Sequence, residues 1–89
     1  MKDSYLEVTY RHGRPIAAYL YLPRDTDEKS TRTKRIEPGM VIDFGPNDRA
    51  IGIEITAPSA LSPGDLNRVL ADLGLAPLAG SDLGPLQAA

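Results

Sequence analysis

The 89-residue sequence contains no cysteine and no tryptophan, and its single histidine is His12. Without thiols, neither a disulfide framework nor a thiolate zinc centre can staple the fold. One histidine cannot supply a histidine-rich metal site. The lack of cysteine is compatible with a reducing compartment. An excess of one charge is missing too: 10 basic and 12 acidic residues leave a formal charge of −2, which gives no overall attraction to nucleic acid or acidic lipid. No apolar run approaches the ~20 residues of a membrane span. The opening Met1-Lys2-Asp3-Ser4-Tyr5 lacks the apolar core of a signal peptide. The expectation is a cytoplasmic protein of one domain without a membrane partner. A chain of this size buries roughly 60–65% of its unfolded surface, so its stability margin is thin.

What is present is alternation. Leu6, Val8 and Tyr10 alternate with Glu7 and Thr9 from Tyr5 to Tyr10, and Ile16, Ala18, Leu20 and Leu22 share one face of a second run. Both have the period of two of a half-buried strand. Arg11-His12-Gly13-Arg14-Pro15 between them carries turn chemistry. Aligning the apolar faces pairs Tyr10 with Ile16, Val8 with Ala18 and Leu6 with Leu20, and puts Tyr5 opposite Tyr21 and Glu7 opposite Tyr19 on the reverse face. Ser30 to Glu37 reads as a third strand, almost without apolar residues. Arg32, Lys34 and Arg35 mark it as a sheet edge guarded against aggregation. A trans Pro38-Gly39 pair suits a tight hairpin poorly and predicts a wider turn or a bulge. Met40 to Phe44 and Ala50 to Ile55 form a second hairpin around Gly45-Pro46-Asn47-Asp48-Arg49, with Met40 against Ile55, Ile42 against Ile53 and Phe44 against Ile51.

Ser62 is a good N-cap, Pro63 suits the first helical position, and Asp65 can reach back as in a capping box. Leu66, Val69, Leu70 and Leu73 then form one stripe, and Gly74 stops the helix. The predicted architecture is α+β: an antiparallel β-meander of about five strands followed by one C-terminal α-helix, in a single domain over residues 1–74. Residues 75–89 form a tail rich in alanine, glycine, proline and leucine, in which Leu75, Leu78, Leu83 and Leu86 could dock in a groove. Alternation and the helical stripe select Leu6, Val8, Leu20, Leu22, Ile42, Phe44, Ile51, Ile53, Leu66, Val69, Leu70 and Leu73 as the core.

Met40-Val41-Ile42-Asp43-Phe44, followed by Asn47-Asp48-Arg49-Ala50-Ile51-Gly52-Ile53-Glu54-Ile55, resembles a small bacterial family known as domain of unknown function 2283. In that family a strand ending near an aspartate turns and returns as a Gly-Ile-Glu-Ile type strand. Tyr10 through Leu22, with Tyr19 among apolar residues, is similar to the family's opening hairpin, so the resemblance spans residues 5 to 57. Two departures stand out: Ile16 occupies a position where the family often has aspartate, and the first turn is about one residue longer. The resemblance implies no established activity. Small domains of this kind are sometimes suspected as partners of toxin-like proteins.

Two groups of residues are candidate sites. Asp43 faces Gly52 and Glu54 faces Val41 in the predicted register, which sets the two carboxylates diagonally on one sheet face, ~7–8 Å apart. Gly52 leaves room beside Asp43 for a backbone or a ligand. Two carboxylates alone make a poor metal site, and neighbouring basic residues could simply pair with them. Tyr5, Tyr19 and Tyr21 form the second group. They share the face opposite Leu6, Val8 and Leu20, with Ala17 and Val41 beside them, and one helix can cover only one face. Tyrosine packs and hydrogen-bonds at once, which suits an interface.

The remaining motifs carry less. His12 has no nucleophile or orienting acid placed beside it. The basic group Lys29, Arg32, Lys34 and Arg35 has no interleaved aromatic and is flanked by Asp25, Asp27, Glu28 and Glu37. Gly45-Pro46-Asn47-Asp48 is not a phosphate loop, since no Gly-Lys-Ser/Thr element opens a helix after it. The expectation is therefore a non-enzymatic protein-interaction module that forms a homo-oligomer or binds a small protein, without cofactor, metal or nucleic acid. The alternative is a small-ligand or metal-binding domain using Asp43 and Glu54.

Overall fold

Alternation, three turns and one capped helix produce the arrangement in a computed structural model that describes residues 4–23 and 29–78. The strands are β1 (Tyr5–Arg11), β2 (Arg14–Tyr21), β3 (Arg32–Ile36), β4 (Met40–Phe44) and β5 (Ala50–Ile55). A short 3₁₀ turn, Pro58–Ala60, leads to α1 (Pro63–Asp72). The strands form one five-stranded sheet in the order β1-β2-β5-β4-β3, with every neighbouring pair antiparallel. The chain is thus α+β, with one helix after the sheet. None of the described helices is long and apolar enough to cross a membrane.

The simple meander order needs correction, because β2 pairs with β5 and not with β3. The reason lies in apolar content. A central strand needs residues that tolerate full burial, and Ile51, Ile53 and Ile55 of β5 are fully buried. Ile36 is the one apolar residue of β3, so β3 takes the outer position that its basic residues suit.

Most of the register is as the alternation predicts. Tyr5 pairs with Tyr21, Leu6 with Leu20, Glu7 with Tyr19 and Val8 with Ala18. Met40 pairs with Ile55 and Ile42 with Ile53. Both hairpins then slip by one residue. Tyr10 stands opposite Pro15, not Ile16, and Phe44 opposite Ala50, not Ile51. In each case the returning strand carries one extra residue, the signature of a β-bulge.

Turn chemistry explains the first slip. His12 (φ 54°) and Gly13 (φ 78°) both take the left-handed conformation, as a two-residue type I′ turn demands. That turn pairs Arg11 with Arg14, and the surplus residue, Ile16, moves into the bulge. The β3–β4 connection is also tighter than expected. Ile36 pairs with Met40, and the Glu37–Pro38 peptide is cis, not trans.

The apolar side of the sheet and the helix form the core. Ala18, Leu20, Leu22, Met40, Ile42, Phe44, Ile53 and Ile55 pack with Leu66, Val69 and Leu70. Leu6, Val8 and Leu73 are only partly buried at the margin of this cluster, because Leu6 and Val8 lie on an outer strand. The helix has the predicted capping box: Asp65 N–H donates to Ser62 Oγ (3.2 Å) and Ser62 N–H donates to the Asp65 carboxylate (3.0 Å). The bond from the Ser62 backbone N–H, with the Ser62 hydroxyl and Arg68 beside it, holds the Asp65 carboxyl below its ordinary pKa.

At the other end Leu75 N–H donates to Leu70 C=O (2.8 Å) and Gly74 N–H to Ala71 C=O (3.0 Å). This is a Schellman motif, with Gly74 at φ 75° where a side chain would be strained. The motif turns Leu75 and Leu78 back onto the core. Asn67 fixes the return by accepting from Leu78 N–H (2.9 Å) and donating to its carbonyl (3.4 Å). Leu83 and Leu86 of the predicted tail lie outside the described residues.

Candidate functional site

The face opposite the helix can be read as two rows that run across the strands. Register places Tyr5, Tyr21, Gly52, Asp43 and Thr33 in one row, and Glu7, Tyr19, Glu54, Val41 and Arg35 in the next. Both sequence-derived groups therefore share one surface. It comes together because β5 inserts beside β2, a pairing the isolated hairpins do not reveal.

Their closest meeting is a hydrogen bond. Tyr19 Oη donates to Asp43 Oδ2 at 2.6 Å, a length typical of a charge-assisted O–H···O⁻ bond. The tyrosine reaches diagonally from β2 to β4 over the intervening strand at Gly52. A Cβ at that glycine would overlap the Tyr19 ring and hydroxyl. The space that glycine leaves beside Asp43 thus holds the protein's own tyrosine and not a ligand. Ser30 Oγ lies 3.4 Å from the other Asp43 oxygen. Glu54 stays exposed on the same face. No group of three or more potential metal-ligating His, Cys, Asp or Glu side chains occurs among the described residues.

The tyrosines also engage each other. The Tyr5 and Tyr21 rings stack with centroids 4.4 Å apart and planes 15° from parallel, and Tyr19 meets Tyr21 at 4.7 Å in a tilted arrangement. Tyr21 Oη lies 3.5 Å from Glu7 Oε1. Through these contacts Tyr19 and Tyr21 are half-buried within the chain itself, while Tyr5 remains 51% exposed. Among the described residues, the other large apolar side chains with high exposure are Tyr10 and Ile16, each at 46%. All three belong to the β1–β2 hairpin. Sequence reasoning placed Tyr10 and Ile16 in a paired apolar row; the bulge that exposes them has no signature in alternation.

The two sheet edges differ in character. On β3, Arg32 and Lys34 alternate with Arg35, so the basic residues divide between the two faces and do not form one continuous stripe. Arg32 lies 4.1 Å over the Phe44 ring and 3.0 Å from Asp48, which are structural roles. Asp25, Asp27 and Glu28, expected to flank this group, lie outside the described residues. His12 sits exposed at the tip of the first turn. An open cleft of about 380 Å³ near the β3–β4 turn is lined by Arg35, Glu37, Val41 and Thr56 among others, and by neither Asp43 nor Glu54.

Residues 17–58 match a family described as protein of unknown function, DUF2283. The chain therefore resembles that family from the middle of β2 to Pro58, just past β5, a narrower stretch than residues 5 to 57, with β1 and α1 outside it. The matched stretch contains Tyr19, Asp43 and Gly52, which the fold brings into contact. No curated protein and no solved structure matches the chain.

Proposed function

We propose that this domain is a cytoplasmic, non-catalytic protein-interaction module that docks through its first hairpin. The observation that carries this reading is the location of Tyr5, Tyr10 and Ile16: the three large apolar residues most exposed among the described residues all lie on β1 and β2. In a domain of this size such area is costly to leave wet, at roughly 25 cal/mol per Å². Tyr19 and Tyr21 contribute as a support that holds Tyr5 in place, since each is already engaged within the chain. The rival reading, a ligand site at Asp43 and Glu54, has less support because Tyr19 fills the gap beside Asp43.

Sedimentation velocity over a wide concentration range tests the proposal. The native chain is compared with a Tyr10→Lys, Ile16→Lys variant whose fold is checked by circular dichroism. Association that disappears in the folded variant supports docking by this hairpin. Association unchanged by the two lysines, or a native protein that forms no complex in any preparation, contradicts it.

A further inference from the structure

The two outer strands of the sheet are built differently. β3 carries Arg32, Lys34 and Arg35 in five residues, so its edge repels a second copy of itself. β1 has seven residues, Tyr-Leu-Glu-Val-Thr-Tyr-Arg, with no proline and only Glu7 and Arg11 charged. Among the described residues β1 pairs with β2 alone. A bulge in an edge strand would twist it away from a partner, yet the extra residue of the first hairpin, Ile16, lies on β2. The outer ladder of β1 is uninterrupted. Pro15, which has no N–H, stands opposite Tyr10, so that pair is not a hydrogen-bonded one. Alternation then turns the backbone groups of Leu6 and Val8 away from β2.

We infer that the partner of the first hairpin is a second copy of this chain, joined antiparallel along β1 with the two-fold axis at Val8. This rests on the reading that the first hairpin is the docking surface, and it names the occupant. Tyr5–Arg11 is symmetric about Val8, so this register uses the whole strand. It places Leu6 opposite Tyr10 of the second copy, Glu7 opposite Thr9, and Tyr5 opposite Arg11. No like charges meet, and an aromatic ring faces a guanidinium at each end. Centring on Glu7 instead would set two carboxylates against each other. In the Val8 register the half-buried Leu6 and Val8 gain apolar neighbours at the open margin of the core, and the outward Leu6 and Val8 amides gain acceptors.

The chain has no cysteine, so single-cysteine variants report register directly. Glu7 and Thr9 are both exposed. In the proposed dimer they form a non-hydrogen-bonded pair, with Cα atoms about 4.5 Å apart, inside the range of about 4.4–6.8 Å that a disulfide spans. Full-length Glu7→Cys and Thr9→Cys proteins are mixed under mild oxidation and followed on non-reducing gels. The mixed disulfide dimer should form about tenfold faster than dimers of Glu7→Cys alone or of a Glu7→Cys and Arg35→Cys mixture, because only the first pair gains from proximity. Equal rates in all three would overturn the inference. Suppose equal rates coincide with association that the Tyr10→Lys, Ile16→Lys variant abolishes. β1 self-pairing would then fail while docking by the hairpin stands. Association indifferent to both sets of variants removes both readings. Cross-linking that appears only after residues 79–89 are deleted would assign the edge to the chain's own C-terminal segment and overturn self-pairing.

Discussion

The Tyr19 hydroxyl hydrogen-bonds to Asp43 across the bare backbone of Gly52, linking two strands that are not paired with each other. The bond ties the first hairpin to the second on the side the helix leaves open, and it depends on Gly52 having no side chain. Gly52→Ala should therefore destabilise the domain by about 1–3 kcal/mol, the range for overpacking a filled site. The same substitution in a Tyr19→Ala background should cost clearly less, since the clash is then gone. Chemical denaturation of the four proteins gives the coupling. Additive effects would mean that Tyr19 does not occupy the space over Gly52.

Ile53 is fully buried at the centre of the sheet. Ile53→Ala should cost on the order of 2–4 kcal/mol, read from the denaturation midpoint at unchanged slope. A loss below about half a kcal/mol would be incompatible with a core position.

The helix start gives a pH-dependent prediction. Ser62→Ala should lower stability by about 1 kcal/mol. The Asp65 pKa is lowered in the folded chain, chiefly by the backbone hydrogen bond from Ser62. A depressed carboxyl pKa stabilises the fold above the unfolded value, near 3.8, and that contribution is lost as pH falls through the lower folded value. Asp65→Asn should thus reduce stability at neutral pH and lose its effect at strongly acidic pH. A difference that persists unchanged at the acidic extreme would rule out this linkage.

Asn67 ties the segment after the helix to the helix itself. Asn67→Ala should cost about 1 kcal/mol and should speed hydrogen exchange at the Leu78 amide far more than at Leu75, whose bond to Leu70 is independent of Asn67. Equal acceleration at both positions would show that the whole C-terminal return moves as a unit.

How far these features were legible follows from their range. The capping box, the Schellman glycine and most strand register come from neighbours in sequence or from one-face alternation, so Ser62, Asp65, Gly74 and the Val8 to Ala18 pairing could be read directly. The position of β5 beside β2 is non-local. It follows from how apolar the third strand is compared with the fifth, a contrast visible in Ile36 against Ile51, Ile53 and Ile55 only once the strands compete for the centre. The Tyr19 to Asp43 bond depends on that order, so both residues were identifiable as candidates while their contact was not. The bulge at Ile16 was hidden for another reason. A two-residue turn with His12 in the left-handed conformation pre-empts the longer loop that the sequence suggests.

The central claim, that β1 is a self-pairing edge, is tested most directly by residue-resolved hydrogen exchange on the native protein across concentration. Leu6 and Val8 amides should be slow to exchange and become slower as concentration rises, while the outer amides of β3 stay fast throughout. Rapid exchange at Leu6 and Val8 at every concentration, equal to that of the β3 edge, would contradict it.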